Sequence, residues 1–418
     1  MEGSEMDTYG EICCRQVAPL VLLAALVGLP GHPANAGTKK PVKFIMHGVG
    51  QFRSEACGVA DFNNDGRLDI VAGPYWYEAP SWRPHEFRSL EGKADAKGKT
   101  YRVDEKGVGY WDDFMNVPLD VDGDGFTDVV TCCWFSKEID WYRNVGAGVE
   151  PWPITVADED GNCECGELWD IDGDGKKLEI LPDTKDAKWY EIGIGADGKR
   201  DLIRHDTSPT ARLFGGGVGD VNGDGRPDIL RPDCWYEAPA DPRKGLWKEH
   251  PLAVGSLTEG QAAHTPQIWV YDVDADGLND IVTSSAHGYG IFWYKQVRNG
   301  TRMSWLQRVI DKSWSQAHSI TLADLDEDGD LDLVTGKRFF AHNGNDPDAH
   351  APLGVYWYEL KRGATIEWEK HIISYDEGIG SGLNIPVVDL DRDGDLDVVV
   401  TGKWGGPVYF ENTAGSNR

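Results

Sequence analysis

Seven copies of one short pattern, Asp-x-Asp/Asn-x-Asp-Gly-x-x-Asp, run through this 418-residue chain. They begin at Asp61, Asp120, Asp170, Asp220, Asp272, Asp324 and Asp389, with starts 59, 50, 50, 52, 52 and 65 residues apart. A unit of that length cannot bury its own apolar face, so the copies must stack on one another. A β-branched run follows each loop, as in Asp69-Ile70-Val71-Ala72 and Asp397-Val398-Val399-Val400. Then comes Trp-Tyr, from Trp76-Tyr77 to Trp357-Tyr358, with Tyr409-Phe410 in the seventh copy. Outer segments such as Trp247–His250 and Trp368–His371 complete the unit. Four short strands in roughly 50 residues make a propeller blade. The expected fold is all-β: a single seven-bladed β-propeller of four-stranded antiparallel blades over 37–418.

The last unit runs out after its third strand, at Glu411, and a spare strand lies at the other end, Val42–Met46. The N-terminal strand is expected to complete blade seven and leave no open sheet edge.

The loops have the composition of a hard-cation site. Side-chain oxygens at alternate positions converge, Gly at the sixth allows the sharp turn, and a final carboxylate closes the set, which is the EF-hand logic with a shorter reach. The expected ligands are Asp61, Asn63, Asp65 and Asp69; Asp120, Asp122, Asp124 and Asp128; Asp170, Asp172, Asp174 and Glu179; Asp220, Asn222, Asp224 and Asp228. The remaining copies supply Asp272, Asp274, Asp276 and Asp280; Asp324, Asp326, Asp328 and Asp332; Asp389, Asp391, Asp393 and Asp397. The third copy carries one extra residue before its closing Glu179. Oxygen-only ligands favour Ca²⁺. Solvated Asp-Gly turns would explain one such loop, but not seven with the same spacing.

Net charge supports this reading. The chain stands at −29, yet 26 of its 70 acids belong to the loops, and the other 44 nearly balance 41 Lys and Arg. The acidity is local to the expected metal sites. Nothing supplies the clustered basic surface that a nucleic-acid partner requires.

Residues 1–36 read as an export signal: Arg15, the apolar run Val17–Leu29, and a small-residue cleavage site at Ala34-Asn35-Ala36. The run is short for a membrane span, so a periplasmic or secreted protein without a span after cleavage is expected. Six cysteines follow: Cys57, Cys132, Cys133, Cys163, Cys165 and Cys234. Four of them lie in repeats two and three, where an oxidising compartment permits a bridge of unspecified pairing.

The loops, the Trp-Tyr strand and strands ending Leu333-Val334-Thr335-Gly336 and Val399-Val400-Thr401-Gly402 resemble FG-GAP/VCBS repeats over about 42–411. That resemblance implies the propeller and its calcium. It leaves function open, because one fold hosts many activities.

Residues that break the repeat are better functional candidates than those that share it. His47, His85, His205, His250 and His371 recur in outer segments and read as structural. His264, His287, His318, His342 and His350 do not recur, and all lie in copies five and six. Positions before the first strand and after the second share the face opposite the loops. His264, His287, His318, His342, Tyr289, Lys337 and Arg338 are therefore expected around one pocket. Trp111, Asp112, Asp113, Glu164, Glu167 and His350 are expected at its rim. The insertion Lys337–Leu353 should fold over that face. Grouped His and carboxylates suit proton transfer or a further divalent metal, Zn²⁺ or Mg²⁺. No Ser-His-Asp order, HExxH or phosphate loop is present.

The segments Gly73–Glu78 and Ser285–Tyr294 resemble the propeller domain of aldos-2-ulose dehydratases. That resemblance implies β-elimination on an oxidised (keto) sugar or glycoside, a carbon–oxygen lyase reaction. His264, His287 and His318 would be base or metal ligands, Tyr289 or His342 the acid, and Lys337 or Arg338 the enolate's partner. The cupin domains of those enzymes have no counterpart here, which puts any isomerase step in doubt. Two other readings stand beside it. One is a non-catalytic glycan- or protein-binding module using Trp111, Trp134, Trp169, Trp269, Trp314 and Trp404; for Trp169 and Trp269, beside their loops, core packing is the simpler account. The other is a propeller-type polysaccharide lyase with a wider basic groove.

Overall fold

The computed structural model describes residues 41–91, 101–132, 134–146, 148, 150–210 and 212–414. The expected signal segment 1–36 and Cys133 lie outside the described residues.

Seven four-stranded antiparallel sheets form the blades, six of them running in sequence order from the inner to the outer strand. Blade one is typical, with Cys57–Ala60, Asp69–Ala72, Tyr75–Glu78 and Arg83–Glu86. Blade seven takes its outer strand from the other end of the chain. Phe44–Gly48 pairs antiparallel with Val408–Asn412, placing His47 opposite Tyr409. The expected closure is therefore present.

The second strand of each blade is buried along its whole length, as at Asp69–Ala72, Asp128–Cys132 and Asp397–Val400. That explains its Val and Ile content, since a strand covered on both faces has no polar side. Core clusters join neighbouring blades: Val334 and Trp357 of blade six pack with Val398 and Phe410 of blade seven. Trp169 and Trp269 lie in such a layer, with ring centroids 5.2 Å apart.

The recurring histidines form a repeated clamp. His85, His205, His250 and His371 stack on Trp76, Trp189, Trp235 and Trp357 at 4.1–4.3 Å. His47 does the same on Tyr409. Each also bonds the glutamate two residues past its aromatic partner, as His250 does Glu237 at 2.7 Å and His47 does Glu411 at 2.6 Å. In blades two and five that glutamate position holds a base instead. Arg143 reaches Asp122 and Asp124 of its own loop, and Lys295 reaches Asp274 and Asp276.

Candidate functional site

Each Asp-rich loop is shaped by its own carboxylates. In six copies the first accepts the N–H of the glycine at the sixth position, for example Asp61 from Gly66 at 2.7 Å and Asp324 from Gly329 at 3.0 Å. All seven of those glycines have φ between 84° and 100°, a region closed to most side chains. The last carboxylate has a role beyond the expected one. In every copy it accepts the N–H of the loop's second residue, and in six copies also an N–H at the end of the third strand. It staples loop to blade from a buried position. Burial pushes these carboxyls up, Asp69 to about 6 and Asp332 to about 8, with neighbouring loop charges adding to the push.

The loops fit a cation by two observations. Oxygens of Asp120, Asp122 and Asp128, and of Asp170, Asp172 and Asp174, lie within 4.8 Å of one another. Asp274 Oδ1, Asp324 Oδ1 and Asp389 Oδ1 are buried without a hydrogen-bond partner, a costly state for an anion unless a cation meets it.

On the opposite face a second cluster sits where the blades converge. Glu164 of blade three is its centre. Glu164 Oε2 lies 3.3 Å from His287 Nε2 and 3.4 Å from His318 Nε2, and Oε1 lies 3.6 Å from Arg338 Nη1. Arg338 is buried and also bonds Glu55 of blade one through Nε at 2.8 Å. His287 Nδ1 reaches Asp346 at 3.0 Å, and the same carboxylate bonds His342 Nδ1 at 2.8 Å. His264 stands edge-on to His287 at 6.1 Å. Its Nδ1 accepts the Phe214 N–H at 3.0 Å, so the proton of the neutral ring sits on Nε2.

The backbone under Glu164 is held on both sides. Cys163 is bridged to Cys132 of blade two. Asp183 Oδ1 accepts the N–H of Glu164 at 2.7 Å and of Cys165 at 3.0 Å. The bridge is the one that the crowding of cysteines in repeats two and three permitted.

Electrostatics divide the imidazoles. Burial drives His318 down to about 4, and the Arg338 charge adds to this, so its ring is neutral. Burial would lower His287 too, but its bonds to Asp346 and Glu164 outweigh that and raise it to about 9. Burial opposes the ionised form of Glu164 as well; the two histidines and Arg338 hold it well below the usual carboxylate range all the same. Ligand atoms of Glu164, His287 and His318 lie within 4.8 Å of one another. Both ring nitrogens of His318 are buried without a formed hydrogen bond, Nε2 resting 3.4 Å from Glu164 Oε2. A neutral imidazole with free lone-pair capacity beside a carboxylate suits a divalent metal.

A cavity of about 370 Å³ opens beside this cluster, with Glu164 and His342 at one end. The rings of Tyr101, Tyr110, Phe114, Trp134 and Phe135 form most of the rest of its wall, and Arg102, Gly109 and Asn343 complete it. The Tyr110 hydroxyl accepts the His342 N–H at 2.7 Å, and Lys403 Nζ lies 3.7 Å from the Tyr110 ring centre. Burial raises Tyr110 to about 12 and lowers Lys403 to about 8.

The structure thus gathers His264, His287, His318, His342, Arg338 and Glu164, and moves other expected residues elsewhere. Lys337 is directed away, its Nζ bonding Ser315 O at 3.1 Å and Oγ at 2.9 Å. Arg338 is enclosed between Glu55 and Glu164, which makes it a support for Glu164 rather than an open partner for an enolate. Tyr289 donates to Asp348 at 2.5 Å. His350 packs on Phe340 at a separate cavity. Trp111 stacks on Phe52. Asp113 is buried in an ion pair with Arg88 at 2.5 Å. Asp112 accepts the N–H groups of Phe135 and Ser136, fixing the cavity wall. Glu167 is half-buried, and burial raises its carboxyl to about 7. The insertion does fold across the face, where Asn343 Oδ1 accepts the Gly109 N–H at 2.8 Å.

Glu55, Tyr110 and Lys403 were not singled out from the sequence. Lys403 had a signal: Thr401-Gly402-Lys403 repeats Thr335-Gly336-Lys337. Glu55 and Tyr110 precede their inner strands without any local motif.

A family model for FG-GAP-like repeats matches residues 120–181 and 272–335. No curated protein sequence matches the chain. Among solved structures, the extracellular domain of a hybrid two component system from B. thetaiotaomicron aligns at 12% identity and a TM-score of 0.46. That alignment covers 89% of this chain but only 39% of the other. An auxiliary nutrient binding protein from Bacteroides ovatus aligns at 11% identity and 0.41, covering 83% and 84%. The exotype rhamnogalacturonan lyase YesX aligns at 12% identity and 0.43, covering 91% and 76%. Among the described residues, no helix is long and apolar enough to cross a membrane. By its sheet order and the family-model match, the chain is a seven-bladed β-propeller carrying FG-GAP-like repeats.

Proposed function

We propose that this is an exported, calcium-loaded propeller whose Glu164 site carries out β-elimination on an oxidised sugar or glycoside. The observation that carries the reading is the Glu164–His287–His318 cluster opening into a cavity that His342 and Tyr110 also line.

Glu164 and His318, together with His287 once its Nε2 gives up its proton, would hold a divalent ion, Zn²⁺ or Mg²⁺. Such an ion supplies Lewis-acid polarisation of the substrate ketone. The remaining groups supply binding and proton transfer. His264, with its proton on Nε2, donates a hydrogen bond toward the ketone oxygen. His342 is oriented through Nδ1 by Asp346, leaving Nε2 to take the proton next to the carbonyl. Tyr110, protonated at neutral pH, gives its proton to the departing oxygen. This reassigns the acid from Tyr289 or His342 to Tyr110, because Tyr110 is a phenol on the cavity wall bonded to His342, whereas Tyr289 donates to Asp348.

The test is to incubate the mature protein with 3-keto-glycosides and follow enone absorbance. Glu164→Gln, His264→Ala, His287→Ala, His318→Ala and His342→Ala should each lower kcat/KM by about 100-fold or more. If glycans bind and no substrate turns over, the protein is a binding module. The aromatic cavity wall favours a small glycoside over the basic groove expected of a polysaccharide lyase.

A further inference from the structure

The cavity beside Glu164 has a chemical polarity of its own. Its catalytic end holds the carboxylate and His342. The remaining lining is mainly a chain of aromatic rings, with Arg102, Gly109 and Asn343 beside it: Tyr101 stacks on Phe135 at 3.7 Å, Phe135 meets Phe114 edge-on at 5.8 Å, and Phe114 lies 6.3 Å from Trp134. At about 370 Å³ it falls within the size of small-molecule sites, roughly 300–1,000 Å³.

A sugar ring commonly stacks on one aromatic face while its hydroxyls bond polar groups at the edge. A hydroxyl buried against these rings loses its hydrogen bonds to water unless Arg102 or Asn343 reaches it. A flat apolar ring has no such cost and gains stacking contacts. Tyr110 lines the cavity with Glu164 and His342, bonded to the His342 backbone.

We propose that this wall is the leaving-group subsite and that it selects an aromatic aglycone, making the substrate an aryl-bearing keto-glycoside. This rests on the elimination reading above. The step balances without a further reactant. His342 takes the proton from the carbon beside the ketone, that electron pair forms the carbon–carbon double bond, and the bond to the glycosidic oxygen breaks. The oxygen leaves as an alcohol with the Tyr110 proton, and proton return from His342 to Tyr110 restores the site.

The test compares benzyl and methyl 3-keto-β-glucosides, whose leaving alcohols are similarly basic, so that chemistry alone does not favour either. The benzyl compound should have a kcat/KM at least 10-fold higher. Trp134→Ala and the milder Phe135→Leu should bring the benzyl-to-methyl ratio toward 1. Equal kcat/KM values for the wild type, or an unchanged ratio in both folded variants, would overturn the proposal. If neither compound reacts, the elimination reading fails, and binding then decides the subsite. By calorimetry the full-length chain should bind unoxidised benzyl β-glucoside at least 10-fold more tightly than methyl β-glucoside. That preference should disappear in Trp134→Ala, and equal affinities would rule the aromatic subsite out.

Discussion

Glu164 of blade three faces His318 of blade six across the propeller, with 3.4 Å between Oε2 and Nε2. The ring is buried, neutral and without a hydrogen bond. Its pairing with a carboxylate held ionised is an arrangement that suits a metal-ligand pair. Zinc titrated into the chelator-treated protein should bind with a stoichiometry of one at this face. Glu164→Gln should weaken it by about 100-fold or more, on the scale of losses at metal sites. Calorimetry with calcium held in excess isolates this site from the loops. Equal zinc affinity in wild type and variant would remove the ion from the mechanism.

Cys132 and Cys163 tie blade two to the turn that carries Glu164. Their separation of 31 residues sets a loop-closure contribution of about 3–4 kcal/mol. The double variant Cys132→Ser/Cys163→Ser should therefore melt earlier. Below its new Tm it should also lose activity, because Asp183 alone then positions the Glu164 backbone. Activity that survives while Tm falls would confine the bridge to stability.

The blades were legible because their signals are local. Asp69-Ile70-Val71-Ala72 and Trp76-Tyr77 state strand, loop and core face within a few residues, and the loop spacing counts the blades. The histidine clamp was legible for the same reason. What escaped depends on ring closure or on side-chain direction. Glu55 meets Arg338 across 283 residues, a contact that exists only once blades six, seven and one have closed the circle. Lys337 and Arg338 are consecutive, so as neighbours at a strand end they point to opposite sides. Position alone did not tell which of the two entered the site. The ninth-position carboxylates look like ordinary ligands in sequence, and their backbone bonds appear only with the third strand in place.

Removal of the N-terminal strand tests the closure. Phe44–Gly48 supplies the outer edge of blade seven and the His47–Tyr409–Glu411 clamp. A chain beginning at Gly50 exposes the Val408–Asn412 edge to water and to other chains. Its Tm should fall by about 10 °C or more, given roughly 2–4 °C per kcal/mol for a large domain. Differential scanning calorimetry reads this directly, and an unchanged Tm would mean that blade seven is stable with three strands.

Lys337 gives a pH test that separates support from catalysis. Burial lowers its ammonium to about 8, against about 10.4 in an unfolded chain. The charged form is the one penalised in the fold. Between pH 8 and 10.4 the unfolded state binds more protons, so stability gains from rising pH in that window. Lys337→Met removes this gain, and the slope of stability against pH should flatten there. Elimination activity at pH 7 should stay within about threefold of wild type, since Nζ bonds Ser315 outside the cluster. A large activity loss with intact folding would return Lys337 to the site.

Calcium removal tests the loops themselves. Packed carboxylates repel one another and raise each other's pKa. Asp274, Asp324 and Asp389 each bury an oxygen with no hydrogen-bond partner. A chelator should therefore lower Tm, and added Ca²⁺ should restore it. Each occupied site contributes about 2.7 kcal/mol at a hundredfold excess over its Kd. Repulsion between exposed charges is screened by salt, so high NaCl should partly rescue the chelated protein. Blades two, three and five should suffer least, because Arg143 and Lys295 each contact two loop carboxylates, and Lys176 and Arg243 contact Asp174 and Asp172 of blade three. Arg143→Ala and Lys295→Ala should deepen the chelator effect while leaving the calcium-loaded Tm within a few degrees. Hydrogen exchange resolved by blade would show this order directly, and a melt indifferent to chelator would leave the loops as turns alone.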